Sequence, residues 1–298
     1  MRTHLRLASI AAVLAVAASG CAGRSNAYSL GDESATIDEV EDVVVQLSDA
    51  QQVELSNGVA DGETVRAVLG AMIRASAIRE LLAANGESVT DEDRATVTEQ
   101  YAAESGFTSL GQELQDLLIE VNAADLALAR VPALGADDVE TAYAANPSSL
   151  GAMCLRHVLV ADEATARKVA DELTGGADVG EVVARWSTEP GAAERGGALE
   201  SQDGACIRLT DYQSQFDADF VAGALGVAPG AHSEPVKTQF GWHVIVARPY
   251  DEVADSLAAL LGQAPGEMLL AGYLASARVD VASRYGRWNP AQGAVVAL

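Results

Sequence analysis

The stretch SEPVKTQFGWHVIVARP, from Ser233 to Pro249, decides the fold of the second half of the chain. Two short segments within it, around Pro235–Thr238 and His243–Arg248, have the composition of β-strands and flank a turn. A histidine, His243, directly precedes the apolar run of the second strand. Earlier in the chain, the segment CLRHVLVAD places His157 in a similar apolar run. The question is whether these two histidines are separate core residues or parts of one site.

The segments around this stretch predict an α+β domain. From Cys154 onward the pattern indicates a strand, two helices, a long loop, a helix and then the two strands, which is typical of a small, mostly antiparallel sheet with flanking helices. Residues 36–146 instead favour helix almost throughout. One helix is expected to begin at Asp61 and end at Gly86, and Thr90 with Asp93 resembles a capping box. A last helix around Ser256–Ala277 and a strand-like ARVDV follow.

Three separated motifs, LRHVLV, WSTEPGAAERGGAL and SEPVKTQFGWHVIV, resemble in order and spacing the parvulin family of peptidyl-prolyl cis-trans isomerases. The resemblance covers roughly residues 153–250. The surrounding layout resembles extracytoplasmic foldases, in which a parvulin domain lies between a helical chaperone-like region and a returning C-terminal segment. Isomerisation of an X–Pro bond breaks no bond, so the resemblance implies neither a metal nor another cofactor.

The resemblance also implies a set of site residues. The polar set contains two histidines that face each other across the central sheet, a hydroxyl and a carboxylate: His157, His243, Thr238 and Glu189. The apolar pocket for the proline ring is lined by Leu199, Phe216 and Phe220.

The residues taken alone leave other interpretations open. Each histidine by itself is more typical of a hydrogen-bonded core residue, and Glu189 is typical of an exposed loop acid. Phe216 and Phe220 have the i,i+4 spacing of an ordinary core pair. A metal site built from His157, His243 and Glu189 is conceivable from residue types, but we expect none because the parvulin reaction needs no metal.

This sequence departs from the parvulin pattern at several positions. Glu189 stands where the family usually has cysteine or aspartate, and its carboxylate is expected near the carbonyl oxygen of the substrate. GGALE replaces the more usual GGDLG, and Phe216 stands where methionine is frequent. The segment between Leu199 and Phe216 is also longer than in compact parvulins, and it contains Cys206.

The N-terminus has the features of a lipoprotein signal. Arg2 and Arg6 precede the apolar run LASIAAVLAVAAS, and the sequence Ala18-Ser19-Gly20-Cys21 resembles a lipobox. We expect cleavage before Cys21 and a diacylglycerol on its thiol, with the alternative of a plain secreted protein cut at a nearby small residue. The small and polar residues that follow predict a flexible tether. The expected location is the bacterial cell envelope, lipid-anchored on the extracytoplasmic face of the membrane.

The charge of the chain limits its partners. The formal net charge is −24, and residues 31–149 hold 24 Asp and Glu against five Arg. Such a surface argues against nucleic acid and against anionic lipid headgroups. It suits cationic or unfolded clients, or is simply a solvated face.

The three cysteines have two different expected roles. If Cys21 is acylated, Cys154 and Cys206 remain as an even pair in an oxidising compartment. Because both lie in one predicted domain, we expect a disulfide that pins the longer loop to the first strand. Two buried thiols that never meet are the alternative.

Together these features divide the chain into five parts. They are a signal peptide (1–20), a lipidated tether (21–35), a helical chaperone-like domain (36–149), a parvulin domain (150–250) and a C-terminal helix and strand that pack back on the N-terminal domain (251–298). The predicted function is a membrane-anchored prolyl isomerase and foldase acting on unfolded or partly folded secreted polypeptides. The alternative functions are a catalytically weak or inactive parvulin-fold chaperone and a lipoprotein that binds one specific partner.

Overall fold

A computed structural model describes residues 25–104, 106–201 and 204–298. The expected signal peptide and the expected lipidation site, Cys21, lie outside these residues. Within the described ranges, no helix is both long enough and apolar enough to cross a membrane.

The described residues form twelve α-helices and two short 3-10 turns, the latter at Phe107–Ser109 and Pro147–Leu150. The helices are Ile37–Asp49 (α1), Gly62–Ala84 (α2), Asp91–Ala102 (α3), Gln112–Leu128 (α4), Ala136–Ala145 (α5), Glu163–Thr174 (α6), Val179–Trp186 (α7), Ala192–Arg195 (α8), Leu209–Gln215 (α9), Ala218–Ala224 (α10), Tyr250–Gln263 (α11) and Pro265–Ser276 (α12).

The same residues form short strands in small antiparallel sheets, which with the helices confirms the α+β class. The strands are Asn26–Leu30 (β1), Glu33–Thr36 (β2), Leu55–Ser56 (β3), Val59–Ala60 (β4), Ala152–Met153 (β5), Leu155–Val160 (β6), Ile207–Arg208 (β7), Val236–Thr238 (β8), Gly241–Ala247 (β9), Val279–Val281 (β10), Arg287–Asn289 (β11) and Ala294–Val296 (β12).

The first three helices, α1, α2 and α3, begin where side chains cap their free backbone amides. The Asp61 carboxylate accepts hydrogen bonds from the first turn of α2, which ends before Gly86 as expected. Thr90 and Asp93 form a reciprocal capping box at α3, so this prediction is confirmed. Asp93 stands where a capping box usually has glutamate, and its carboxylate also accepts hydrogen bonds from Arg130.

The expectation that residues 21–35 form a flexible tether is wrong for the part of it that the structure describes. Residues from Asn26 onward form the hairpin β1–β2, in which Tyr28 and Leu30 are buried in the core of the helical half. The Tyr28 hydroxyl lies 2.8 Å from the Ser76 hydroxyl of α2. Tertiary burial of these apolar side chains outweighs the small and polar composition that favoured a tether.

The C-terminal region returns to the N-terminal hairpin. β10 pairs with β1, with Val281 opposite Tyr28, and Leu270 and Val295 join the core that contains α2. The single helix expected over Ser256–Ala277 is wrong, because the structure has two helices, α11 and α12, broken at Ala264. Pro265 causes this break, since a proline disfavours helical conformation in the preceding residue.

The sheet of the 150–250 segment has the strand order β6-β9-β8. One face is covered by α6 and α7, with Val158 and Val244 in that core. The other face carries α9 and α10, and its core includes Leu155, Tyr212 and Ile245. Side chains alternate between the two faces along β6 and β9, and this alternation determines which residues can meet in a site.

A disulfide joins Cys154, just before β6, to Cys206 in the longer loop. Both residues are buried, and they share a core with Tyr143 of α5 and Leu257 of α11. The loop is also held by β5, which pairs with β7. The disulfide therefore lies where the 150–250 segment packs against the neighbouring helices.

Candidate active site

His157 and His243 lie on neighbouring strands and on the same face of the sheet. In the antiparallel pair β6–β9, His157 is opposite Ile245 and His243 is opposite Leu159. The two histidines are therefore diagonal neighbours, a distance that ring side chains can bridge. Their rings are nearly parallel, with an interplanar angle of 11° and centroids 5.3 Å apart. The two rings meet side by side on one surface rather than across the sheet.

The glycine of the motif FGWH allows β9 to start close against the end of β6. Gly241 has a φ of +139°, and a Cβ there would lie 2.6 Å from the Val160 carbonyl oxygen. Any larger residue would strain the backbone and push the two strands apart. The next residue, Trp242, packs on the α6–α7 face. His243 consequently points to the other face, where the site lies.

The GGAL segment runs along the free edge of β6 and brings the loop residues to the site. The His157 amide donates to the Gly197 carbonyl at 2.9 Å, and the Leu199 amide donates to the Leu155 carbonyl at 2.9 Å. Gly197 has a φ of +74°, and a Cβ there would lie 2.5 Å from the His157 carbonyl oxygen. Ala198, where the family usually has an acid, is buried and forms a β-bridge beside these residues. The local backbone therefore accommodates the departure from GGDLG.

The four polar residues of the expected site form one hydrogen-bonded row. The Nδ1 atoms of His157 and His243 are 3.1 Å apart. The Nε2 atom of His157 lies 2.7 Å from the Glu189 carboxylate. The Nε2 atom of His243 lies 2.9 Å from the Thr238 hydroxyl oxygen. The tertiary structure thus brings together residues that are far apart in the chain.

The groups at the two ends give this row a direction. At one end Arg195 donates to the Glu189 carboxylate at 3.4 Å. At the other end the Phe240 amide donates to the Thr238 hydroxyl oxygen at 3.1 Å. An ionised Glu189 carboxylate can only accept hydrogen bonds. His157 therefore donates a hydrogen bond from Nε2 to Glu189 and accepts one at Nδ1. His243 then donates from Nδ1 and accepts the hydroxyl proton at Nε2.

Burial keeps both histidines neutral in this arrangement. Their residues are 6% and 5% exposed, respectively. Burial lowers the pKa of His157, although the neighbouring Glu189 carboxylate opposes the shift. Burial and then the proximity of His157 lower the pKa of His243 to about 4. When both rings are neutral, every hydrogen-bond donor in the row has an acceptor. Two protonated rings would instead repel each other.

An apolar pocket of about 360 Å³ adjoins the polar row. Its apolar lining consists of Leu159, Leu199, Phe216, Phe220 and Phe240. Phe220 is 3% exposed and packs at nearly a right angle to both histidine rings, with centroid distances of 5.7 Å to His157 and 5.2 Å to His243. The pocket floor is therefore continuous with the polar row.

The structure adds residues in or beside the site that the sequence did not single out. Leu159 follows His157 by two positions, so strand alternation was a signal that could have found it. Arg195 lies in the short helix α8, and Asp217 is the N-cap of α10. Sequence spacing carries no comparable signal at these two positions. Phe240 could not be identified as a pocket residue from its sequence spacing; in the structure it is 70% exposed and lines the pocket.

Among the described residues, no group of three or more His, Cys, Asp or Glu side chains is arranged to hold a metal ion. Each ring nitrogen of the two histidines instead lies at hydrogen-bonding distance from another protein group.

Comparison with known families identifies the segment that carries this site. Residues 160–248 match the model of the rotamase family, described as a PPIC-type PPIASE domain. The matched range includes Glu189, Thr238 and His243. His157 lies just before it, on the strand that pairs with β9.

Similar curated proteins share this segment. The chain is 36% identical over 112 residues to the foldase protein PrsA of Clostridium kluyveri, covering 36% of this chain and 31% of that protein. It is 28% identical over 183 residues to the foldase protein PrsA of Caldanaerobacter subterraneus subsp. tengcongensis, covering 58% of this chain and 55% of that protein. The matches thus span about a third and about half of the length of these relatives.

Among solved structures, PrsA from Bacillus subtilis aligns with 81% of this chain and 87% of that chain, at 20% identity and a TM-score of 0.30. The identification of the segment rests on the family match.

Proposed function

Because residues 160–248 belong to the PPIC-type PPIase family, we propose that this chain is a peptidyl-prolyl cis-trans isomerase that assists the folding of secreted polypeptides. The observation that carries the proposal is the apolar pocket of Leu199, Phe216 and Phe220 beside a carboxylate-terminated row of neutral histidines. The pocket is open at one side and has a volume suited to a proline ring with its neighbouring peptide groups.

The proposed reaction needs selective stabilisation of a twisted amide. Rotation about the X–Pro bond removes the resonance that places partial negative charge on the carbonyl oxygen, and the uncatalysed barrier is about 18–20 kcal/mol. A pocket that holds the proline ring lets the carbonyl side rotate while it excludes water. Groups that interact better with the twisted amide than with the planar amide then lower the barrier.

Glu189 is the group of the polar row best placed to act on the substrate. Its side chain is 28% exposed, whereas both histidines and Thr238 are buried. The direction of the row leaves Thr238 and the histidines without a spare proton to donate. A carboxylate beside the substrate carbonyl oxygen disfavours the planar amide, in which that oxygen carries more negative charge. In this proposal the histidines and Thr238 hold Glu189 in position.

Replacing Glu189 with glutamine is expected to lower kcat/KM by about tenfold, equivalent to about 1.4 kcal/mol. Glutamine keeps the length of the side chain but removes its charge, and its amide group no longer sets the direction of the histidine row. The rate is measured by NMR exchange between cis and trans forms of short proline peptides. Glu194→Gln, an identical change at an exposed site nearby, is the control and should keep the wild-type rate. An unchanged rate in Glu189→Gln would contradict a role for the charge.

We also propose that the helical region holds unfolded clients while the site isomerises their X–Pro bonds. The names of the relatives as foldase proteins support this, as does the apolar and acidic character of the N-terminal half. The chain is proposed to act in the extracytoplasmic envelope, anchored through a lipid on Cys21. Loss of acyl labelling in Cys21→Ala, with labelling kept in the wild type, tests the anchor.

The second candidate function is a chaperone with a weak or inactive isomerase site. The observation in its favour is Glu189, where the family usually has cysteine or aspartate. Short peptides discriminate the two functions, because holding a client cannot accelerate their exchange. Exchange at the uncatalysed rate from a folded sample would favour the chaperone.

A further inference from the structure

The mouth of the apolar pocket is acidic. Among the described residues that line it, Glu189 and Asp217 are carboxylates and none is lysine or arginine. Glu189 forms one end of the polar row, beside His157. Asp217 lies outside the row but near enough to His243 to favour protonation of that ring. Any charged client residue that reaches the mouth therefore meets negative charge.

The two carboxylates differ in how far the protein itself neutralises them. Glu189 is shared between His157 and Arg195. Asp217 caps α10 by accepting the Asp219 amide at 2.9 Å. No lysine or arginine of the described ranges forms an ion pair with Asp217. Its negative charge is left for a ligand or for solvent.

Two basic residues, Lys237 and Arg195, are close in sequence to residues of the site, but neither offsets the charge of Asp217. Lys237 is paired with Trp242 in β8–β9, and Trp242 packs on the α6–α7 face. Its neighbour Thr238 points to the site, so strand alternation directs Lys237 to the opposite face. Arg195 is occupied by Glu189.

An exposed aromatic ring completes the mouth. Phe240 lines the pocket, and the residue is 70% exposed to solvent. The face of an aromatic ring attracts lysine and arginine, and the long aliphatic stems of those side chains cover apolar surface. An aromatic ring and a carboxylate with no lysine or arginine partner among the described residues lie at one mouth, and together they are complementary to such a side chain.

We infer that the pocket selects prolines preceded in the client by lysine or arginine, with Asp217 as the specificity-determining residue. The inference rests on the proposed isomerase function. The cationic head lies against Asp217 and the stem against Phe240, while the proline ring fills the pocket of Leu199, Phe216 and Phe220. The net charge of −24 adds long-range attraction for cationic segments.

The test compares peptides of the form Ala-X-Pro-Phe, in which X is lysine, alanine or glutamate, with the full chain as catalyst. We expect kcat/KM from NMR exchange to be about tenfold higher for lysine than for glutamate at low salt. In Asp217→Asn the ratio of the lysine to the glutamate rate should move towards one. Asp219→Asn, the same change on the same helix outside the pocket lining, should keep the wild-type ratio.

Equal rates for the three peptides would overturn the inference and leave the proposed function intact. An equal loss of selectivity in Asp217→Asn and Asp219→Asn would overturn the assignment to Asp217, because overall charge would then explain it. If no peptide is isomerised, the proposed function fails. The dissociation constants of the same peptides, measured by chemical-shift titration, then decide the inference: tighter binding of the lysine peptide supports it and equal binding overturns it.

Discussion

Replacing both Cys154 and Cys206 with alanine is expected to lower the free energy of unfolding by about 4 kcal/mol. The disulfide joins residues 52 positions apart, so its loss restores many conformations to the unfolded chain. Both cysteines lie in the core that the 150–250 segment shares with α5 and α11, so the packing of this junction weakens as well. Urea denaturation followed by circular dichroism measures the change.

The reduced wild-type protein is the matched control for this prediction. It keeps both sulfur atoms in the core, so its loss of stability reports the covalent bond without the change of side-chain volume. We expect reduction to account for most of the effect seen in the double variant. Equal stability of the oxidised and reduced wild type would contradict the prediction.

Acidification from pH 7 to pH 4.5 is expected to destabilise the protein through the buried histidines. An unfolded histidine titrates near pH 6.5, whereas burial lowers the pKa of His243 to about 4. Between these values the unfolded chain binds a proton that the folded protein excludes, so stability falls as the pH drops below about 6.5. The loss from His243 is of the order of 3 kcal/mol once the pH reaches its folded-state pKa.

Variants separate this effect from the titration of carboxylates. Urea denaturation of His243→Gln between pH 7 and pH 4.5 should show a shallower loss of stability than that of the wild type. His232→Gln, a change at the remaining described histidine outside the pocket, should keep the wild-type slope. The groups that face His243 are His157, Glu189 and Asp217, and the two acids oppose the shift without cancelling it. A flat wild-type profile between pH 6.5 and pH 4.5 would contradict the prediction.

Much of the secondary structure could be predicted from the sequence because its signals are local. The capping groups Asp61 and Thr90 act within a few residues of the helices that they begin. The alternation in LRHVLV and WHVIV defines which side chains share a face, and this places His157 and His243 on one surface once the strands pair. The break at Ala264 was missed although Pro265 carried a local signal for it.

The site was predictable as a set of residues but not as a network. Resemblance to the parvulin family supplied His157, Glu189, Thr238 and His243, and these side chains are within hydrogen-bonding distance of one another. The direction of the row depends on Arg195 and on the Phe240 amide, which no spacing rule connects to the histidines. The acidic mouth likewise depends on which face Lys237 takes and on the absence of an ion pair at Asp217 within the described residues.

The sequence by itself determined most of the helices, the caps at Asp61 and Thr90 and the family of the 160–248 segment, because periodicity, capping and motifs depend on neighbours along the chain. Only the tertiary structure decided that the hairpin from Asn26 pairs with the strand at Val279–Val281 and that the C-terminal region joins the same core. The reason is physical: burial of Tyr28 and Leu30 depends on surfaces supplied by residues far away in the chain. Local composition does not contain that information, so the same residues suggested a tether.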